Sequence, residues 1–149
     1  MLRDDINSAL KEAMKSGQGR RVSTLRLINA AVLERETKGA ERVTLSDAEI
    51  VDVMGKMVKQ RQESLDIYEK AGRTDLAAQE REEIEIISAY LPKQMSDLEA
   101  AAAISALIKE LGAATIKDMG RTMAALKQRF SGQIDTAKAS AQVKKLLGG

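Results

Sequence analysis

Positively charged side chains concentrate in the last quarter of the sequence. From Ala113 onward the chain carries seven Lys or Arg residues against two acids, Asp118 and Asp135, within a chain of net charge +2. The seven bases are Lys117, Arg121, Lys127, Arg129, Lys138, Lys144 and Lys145. Clustered positive charge is typical of proteins that bind polyanions, because neutralised phosphates release counterions. Charge alone favours a second interpretation, an ordinary solvated helical surface, since no stacking aromatic residues accompany these bases.

A second chemical feature is the segment from Thr115 to Arg121, at the predicted start of a helix. Free backbone N–H groups at a helix N-terminus attract anions, and Gly120 would leave the backbone bare for a close approach. Glycine costs a helix about 1 kcal/mol relative to alanine, so its presence calls for a reason. One reason is phosphate docking, and the other is a small-residue face, formed with Ala124, for close helix packing. The sequence leaves both open.

The residue types that are missing argue against a self-contained hydrolase of the common designs. The chain has no Cys and no His, which removes disulfides, thiolate nucleophiles, cysteine-ligated zinc and Ser-His-Asp triads. The glycine patterns of phosphate- and dinucleotide-binding loops do not occur in it. Four glutamates crowd one predicted helix but point around it, so we expect a solvated face rather than a metal site; they are Glu80, Glu82, Glu83 and Glu85. We therefore expect no catalytic residue, no metal, no cofactor and no self-contained active site.

The composition predicts an all-α protein of two parts. One proline and three aromatic residues occur among 149 residues, while the abundant Ala, Leu, Ile, Met, Glu and Lys favour helices. Apolar residues recur at helical spacing throughout the chain. The pattern predicts an N-terminal four-helix domain over 1–92 and a basic three-helix tail domain over 93–149. The boundary falls at Pro92, because a helix ends before a proline.

Capping signals set the expected helix boundaries. Ser46 with Glu49, and Ser96 with Glu99, have the spacing of a capping box. We expect Gly39 to end the second helix in the left-handed conformation and Thr74 to cap the fourth. The sixth helix should start near Thr115, and its apolar stripe predicts that Phe130 lies in a core.

No apolar stretch reaches the length of a transmembrane helix. The chain carries charged residues from Arg3 onward, without the apolar core of a signal peptide. We expect a cytoplasmic protein that makes no contact with membranes.

Short motifs in fixed order carry a family resemblance over nearly the whole chain. They are Leu25-Arg26-Leu27, Lys59-Gln60-Arg61, Tyr68-Glu69-Lys70-Ala71-Gly72-Arg73, Tyr90-Leu91-Pro92-Lys93-Gln94 and Asp118-Met119-Gly120-Arg121. In these motifs the chain resembles the GatB/YqeY family, especially its stand-alone YqeY-like members. The resemblance implies a helical bundle followed by a small tail. In larger relatives this tail belongs to the GatB subunit of the tRNA-dependent amidotransferase, where it serves as a tRNA-binding appendage.

Charge and resemblance together predict a non-catalytic accessory protein that binds tRNA or associates with a tRNA amidotransferase. The expected partners are tRNA, contacted through the tail, and an amidotransferase or aminoacyl-tRNA synthetase. The tail residues expected to contact the tRNA backbone are Lys117, Gly120, Arg121, Lys127, Arg129 and Lys138. Two alternatives stay open. One is a protein-interaction module with no RNA role, and the other is an accessory component of a glutamine-dependent carbon–nitrogen ligase.

Overall fold

A computed structural model describes residues 1–130 and 132–148. Within these ranges the secondary structure is helical throughout, which confirms the expected all-α class. The helices are α1 (Leu2–Lys15), α2 (Gly19–Thr37), α3 (Asp47–Lys70), α4 (Thr74–Ser88), α5 (Asp97–Leu111), a short 3₁₀ helix (Ile116–Asp118), α6 (Met119–Arg129) and α7 (Thr136–Gly148). No helix in the described ranges is long and apolar enough to cross a membrane.

The chain forms two compact units, Met1–Leu91 and Pro92–Gly149. Helices α1 to α4 make up the first, which we call the bundle unit, and the later helices make up the second, which we call the tail unit. Each unit has its own apolar core. The bundle core takes its largest fully buried side chains from all four helices: Ile6, Leu25, Ile28, Ile50, Met54 and Ile87. The tail core consists of Ile104, Leu107, Leu126, Ala139, Val143 and Leu147, with Phe130 packed against it as expected.

Both predicted capping boxes are present. At the start of α3 the Glu49 N–H donates to Ser46 Oγ at 3.3 Å, and the Ser46 N–H donates to Glu49 Oε1 at 3.1 Å. Ser96 and Glu99 exchange the equivalent bonds at 3.1 and 3.3 Å at the start of α5. These bonds satisfy N–H groups that a helix start leaves without a partner. The bond from the Ser46 backbone is the main reason why the pKa of Glu49 is lowered.

The predicted role of Gly39 is wrong. Helix α2 ends at Thr37, and Gly39 is not among the glycines with positive φ. Glu36 anchors the chain after α2 instead. Its backbone carbonyl accepts the Val43 N–H at 3.0 Å, and its buried carboxylate accepts the Leu45 N–H at 2.9 Å. One backbone bond and one side-chain bond thus hold this segment to Glu36, and neither involves Gly39.

Thr74 is also not the cap of α4. It is the first residue of that helix, and Arg73 occupies the cap position. Gly72 ends α3 with φ +72°, and the following Arg73 N–H donates to the Tyr68 carbonyl at 2.9 Å. This bond belongs to the glycine turn that closes α3, and it places Arg73 rather than Thr74 at the junction.

One glutamate on α4 is buried, which contradicts the expected solvated face. Glu83 is 8% exposed and accepts a 2.9 Å hydrogen bond from Arg61 Nε on α3. The Arg61 side chain is itself only 15% exposed, and its Nη1 donates to the Met57 carbonyl at 3.1 Å. The pair therefore forms a partly buried electrostatic contact where α3 packs against α4.

Glu80 lies beside this pair, and Arg61 compensates its negative charge only in part. Its Oε2 is buried and has no hydrogen-bond partner among the described residues. Burial raises the pKa of Glu80, and the negative charge of Glu83 raises it further, whereas Arg61 lowers it. The folded state thus holds a proton on Glu80 more tightly than the unfolded chain does.

This linkage predicts that Glu80→Gln stabilises the bundle unit at neutral pH. A raised folded-state pKa costs stability as pH rises from the pKa of the unfolded chain through that of the folded state, and a neutral amide avoids that cost. Urea unfolding at about pH 7 and about pH 4 measures the effect. The gain should be present at the higher pH and shrink at the lower one. An equal gain at both values would contradict the assignment.

Candidate nucleic-acid interface

All six residues expected to contact nucleic acid are exposed in the tail unit. Lys117 lies in the 3₁₀ helix, Lys127 near the end of α6, and Lys138 in the first turn of α7. Gly120, Arg121 and Arg129 lie on α6. The predicted sixth helix therefore begins as a 3₁₀ turn at Ile116 and becomes α-helical only at Met119.

Two backbone N–H groups before α6 are occupied, whereas the sequence had suggested free donors at this helix start. The Asp118 carboxylate accepts the N–H groups of Ala114 at 2.8 Å and Thr115 at 3.2 Å. These two bonds, followed by one from Arg121, lower the pKa of Asp118. The anion at this turn is therefore a carboxylate of the chain itself, and the turn alone does not form an open phosphate site.

Arg121 holds two parts of the tail unit together. Its Nε donates to Asp118 Oδ1 at 3.1 Å, and its Nη1 donates to the Leu111 carbonyl at the end of α5 at 2.8 Å. The second bond satisfies a carbonyl that a helix end leaves without an intrahelical partner. The side chain is still 49% exposed. Its position is thus set by intramolecular bonds, while part of the guanidinium faces solvent.

Arg129 is paired in a similar way. Its Nη1 and Nη2 donate to the two carboxylate oxygens of Glu110 at 2.6 and 2.8 Å. This bidentate contact lowers the pKa of Glu110 and raises that of Arg129. Both side chains remain about half exposed. The adjacent carboxylate largely offsets the charge that Arg129 offers to an external phosphate.

The lysines differ from the arginines in this respect. No ion pair within the described ranges involves Lys117, Lys127 or Lys138. Lys117 precedes α6 and Lys127 lies in its last turn, so about 15 Å of helix axis separates them. A single phosphate cannot bridge that distance. The arrangement suits several contacts along a polyanion rather than one small-anion pocket.

Gly120 has no packing role inside the tail unit. A Cβ built on it would have no neighbour within 4 Å, and φ lies outside the left-handed region. Both Gly120 and Ala124 are exposed. The small-residue packing face that the sequence had left open is therefore absent, and the bare backbone at Gly120 faces solvent.

Sequence reasoning missed the two carboxylates that pair with the arginines. The Asp118 to Arg121 spacing of three residues is a recognisable helical pair. Glu110 and Arg129 are 19 residues apart, and no local pattern connects them. Elsewhere, no group of three or more acidic residues in the parts of the chain described could hold a metal ion.

Comparison with known protein families gives a match over nearly the whole chain. The model for Yqey-like proteins matches residues 3–147. The chain belongs to the Yqey-like protein family. This confirms the resemblance drawn from its motifs, and the family match spans both units of the Yqey-like chain.

Curated relatives of this Yqey-like chain are known mainly by name. An uncharacterised protein of Schizosaccharomyces pombe is 31% identical over 93 residues, which cover 62% of this chain and 74% of the relative. A protein of Lachancea thermotolerans named "Altered inheritance of mitochondria protein 41, mitochondrial" is 31% identical over 109 residues, which cover 72% of this chain and 58% of the relative. Its namesake in Eremothecium gossypii is 33% identical over 86 residues, 58% of this chain and 46% of the relative. The chain thus spans about half the length of these mitochondrial relatives.

Proposed function

We propose that this Yqey-like protein is a non-catalytic accessory protein whose tail unit binds the backbone of tRNA. The observation that carries the proposal is the pair of exposed lysines at the two ends of α6, Lys117 and Lys127, with the open backbone of Gly120 between them. Lys138 on α7 adds a third charge to the same unit. tRNA is the proposed polyanion because the motifs of the chain resemble a tRNA-binding appendage.

The chemistry of the tail unit favours phosphate contacts over base recognition. Lysine ammonium groups act as point charges on phosphates. Unpaired bases stack on exposed aromatic rings or on guanidinium planes. Phe130 is instead packed against the tail core, and Arg121 and Arg129 are each held by a carboxylate. The proposed contacts therefore recognise backbone and shape, and they give binding a strong dependence on salt.

The proposed contact residues differ in how far their charges are already paired within the chain. Arg121 and Arg129 stay on the interface, but each is already bonded to a carboxylate of the chain. A charge reversal at Arg121 would also remove the bond to the Leu111 carbonyl and disturb the fold. Lys117 and Lys127 are the better positions for a test, because changing them breaks no described hydrogen bond or ion pair.

Reversing these two charges should weaken tRNA binding. For the variant Lys117→Glu with Lys127→Glu we expect affinity to fall on the order of 10-fold or more at low salt. The slope of log affinity against log salt should fall by about 1 for each lysine that contacts a phosphate. Binding of purified protein to total tRNA across a salt titration measures both quantities.

A matched variant distinguishes the loss of local phosphate contacts from the effect of the altered net charge. Lys38→Glu with Lys70→Glu makes the same charge change at exposed positions near helix ends in the bundle unit. This control should keep most of the tRNA affinity. If both variants weaken binding equally, or neither does, the tail unit is not the tRNA-binding surface.

The substitution Gly120→Ala should have opposite effects on the stability of the tail unit and on its affinity for tRNA. Because a Cβ at this position has open space, alanine should raise the free energy of unfolding by up to about 1 kcal/mol. A methyl group where the backbone approaches a sugar-phosphate should at the same time lower tRNA affinity.

Gly55→Ala in α3 is the control for this substitution, since its Cβ would also have no neighbour within 4 Å. It should stabilise the bundle unit and leave tRNA affinity unchanged. If the Gly120→Ala variant is stabilised but binds tRNA as tightly as the wild type, Gly120 does not belong to the interface.

The proposed protein partner is an amidotransferase or an aminoacyl-tRNA synthetase, as the family resemblance implies. The proposed role is to hold tRNA for that enzyme rather than to act on it. Added protein should then lower the KM of the partner enzyme for tRNA without releasing glutamate from glutamine by itself. Glutamate release by the purified chain would instead support the ligase alternative.

A further inference from the structure

An open groove lies between the end of α1 and the start of α2 in the bundle unit. It has a volume of about 640 Å³. Met14 lines it from α1 and Gly17 from the connecting turn. The lining residues from α2 are Gly19, Val22, Ser23, Arg26 and Leu27. The lining is therefore mainly apolar, with one guanidinium.

Two apolar side chains of the groove are exposed, although neighbouring residues on the same helices are buried in the core. Met14 is 53% exposed and Leu27 is 44% exposed, whereas the adjacent Ala13 and the nearby Leu25 are fully buried. Exposed methionine and leucine in a concave surface are typical of protein-binding sites, and methionine adapts its shape to different partners. These two side chains are the apolar anchors that the groove offers.

The segment that forms the groove carries an excess of positive charge within an otherwise acidic unit. Residues 11–27 contain five bases and one acid, whereas residues 28–91 contain nine bases and fourteen acids. Arg20 pairs with Glu82 at 3.3 Å, and Arg21 bonds to the hydroxyl of Tyr90. The remaining bases of this segment are exposed and have no ion pair among the described residues; they are Lys11, Lys15 and Arg26. Arg26 lines the groove itself, and Lys11 and Lys15 lie on α1, the helix that contributes Met14.

We propose that this groove binds an acidic amphipathic segment of a partner protein. Apolar side chains at helical spacing on the partner would contact Met14, Val22 and Leu27. Aspartate or glutamate residues beside them would pair with Arg26 and the two lysines of α1. This pattern combines burial of apolar anchors with charge complementarity at the rim. The proposal is independent of tRNA binding, because it concerns the other unit of the chain.

A displayed library of random peptides of about 16 residues tests the proposal without knowledge of the partner. Selection on the full-length protein should enrich peptides with apolar residues at i, i+3 or i+4 and with Asp or Glu beside them. Affinity of the enriched peptides should fall about tenfold for Leu27→Glu and for Arg26→Glu, as expected when an anchor is lost. Circular dichroism checks that both variants are folded.

Ile67→Glu is the control, because Ile67 is 65% exposed on α3 and does not line the groove. It should bind the enriched peptides like the wild type. The proposal is overturned if no peptide is enriched, if enriched peptides carry Lys or Arg instead of acids, or if all three variants bind alike. It is also overturned if Leu27→Glu abolishes self-association in sedimentation, which would make a second copy the occupant. Loss of tRNA affinity in Arg26→Glu would assign the groove to RNA and overturn it as well.

Discussion

Ile104→Ala should unfold the tail unit and leave the bundle unit folded. Ile104 is fully buried at the centre of a core of six buried residues. Truncation of a buried isoleucine to alanine costs about 2–5 kcal/mol. A unit of about 60 residues buries little surface and is only marginally stable, so this loss is comparable with its whole stability.

Amide hydrogen exchange measures the two units separately. In the variant, amides of α5, α6 and α7 should lose protection, while those of α2 and α3 keep theirs, because the two cores share no residue. Leu98→Ala is the matched control on the same helix, since Leu98 is 83% exposed. Loss of protection in both units would mean that they do not fold independently.

Glu83→Ala should strongly destabilise the bundle unit at the contact between α3 and α4. Removing the carboxylate leaves the guanidinium of Arg61, which is 15% exposed, without its ionic partner. Breaking a buried pair in this way costs about 3–5 kcal/mol, and the partial exposure of Arg61 places the expected loss near the lower limit. Chemical denaturation followed by circular dichroism measures the loss in the bundle unit.

The neighbouring glutamate provides the control for this experiment. Glu82 pairs with Arg20 at 3.3 Å but is 59% exposed, so Glu82→Ala should cost less than about 1 kcal/mol. Combining Arg61→Met with Glu83→Leu should recover most of the lost stability, because well-packed apolar residues can replace a buried ion pair. A Glu83→Ala variant as stable as Glu82→Ala would show that the buried pair contributes little.

Features controlled by neighbours along the chain were predictable from the sequence. Both capping boxes follow from a serine and a glutamate three residues apart, and the packing of Phe130 against the tail core follows from helical spacing. All six proposed contact residues are exposed, and their contact with nucleic acid stays a prediction. These features depend on local geometry, which the order of residues determines.

Features controlled by distant partners were not predictable. Glu83 is one of four similar glutamates on α4, and its burial depends on Arg61, which lies 22 residues earlier. Gly39 was expected to end α2. The helix instead ends at Thr37, and the carboxylate of Glu36 accepts the N–H of Leu45, nine residues away. Within the candidate interface, the pairing of Arg129 with Glu110 likewise crosses from one helix to another. In each case the decisive contact joins residues that are distant in the sequence, so no local pattern shows it.

The carboxylate of Asp118 has a consequence for the selectivity of the tail unit. It occupies two backbone donors and one guanidinium nitrogen, and so acts as a resident anion. A small solute such as inorganic phosphate would have to displace it and would regain only the bonds that it broke. In the proposed interface, a long polyanion would leave the Asp118 carboxylate in place and contact the outlying lysines. Inorganic phosphate should therefore compete poorly with tRNA for the tail unit.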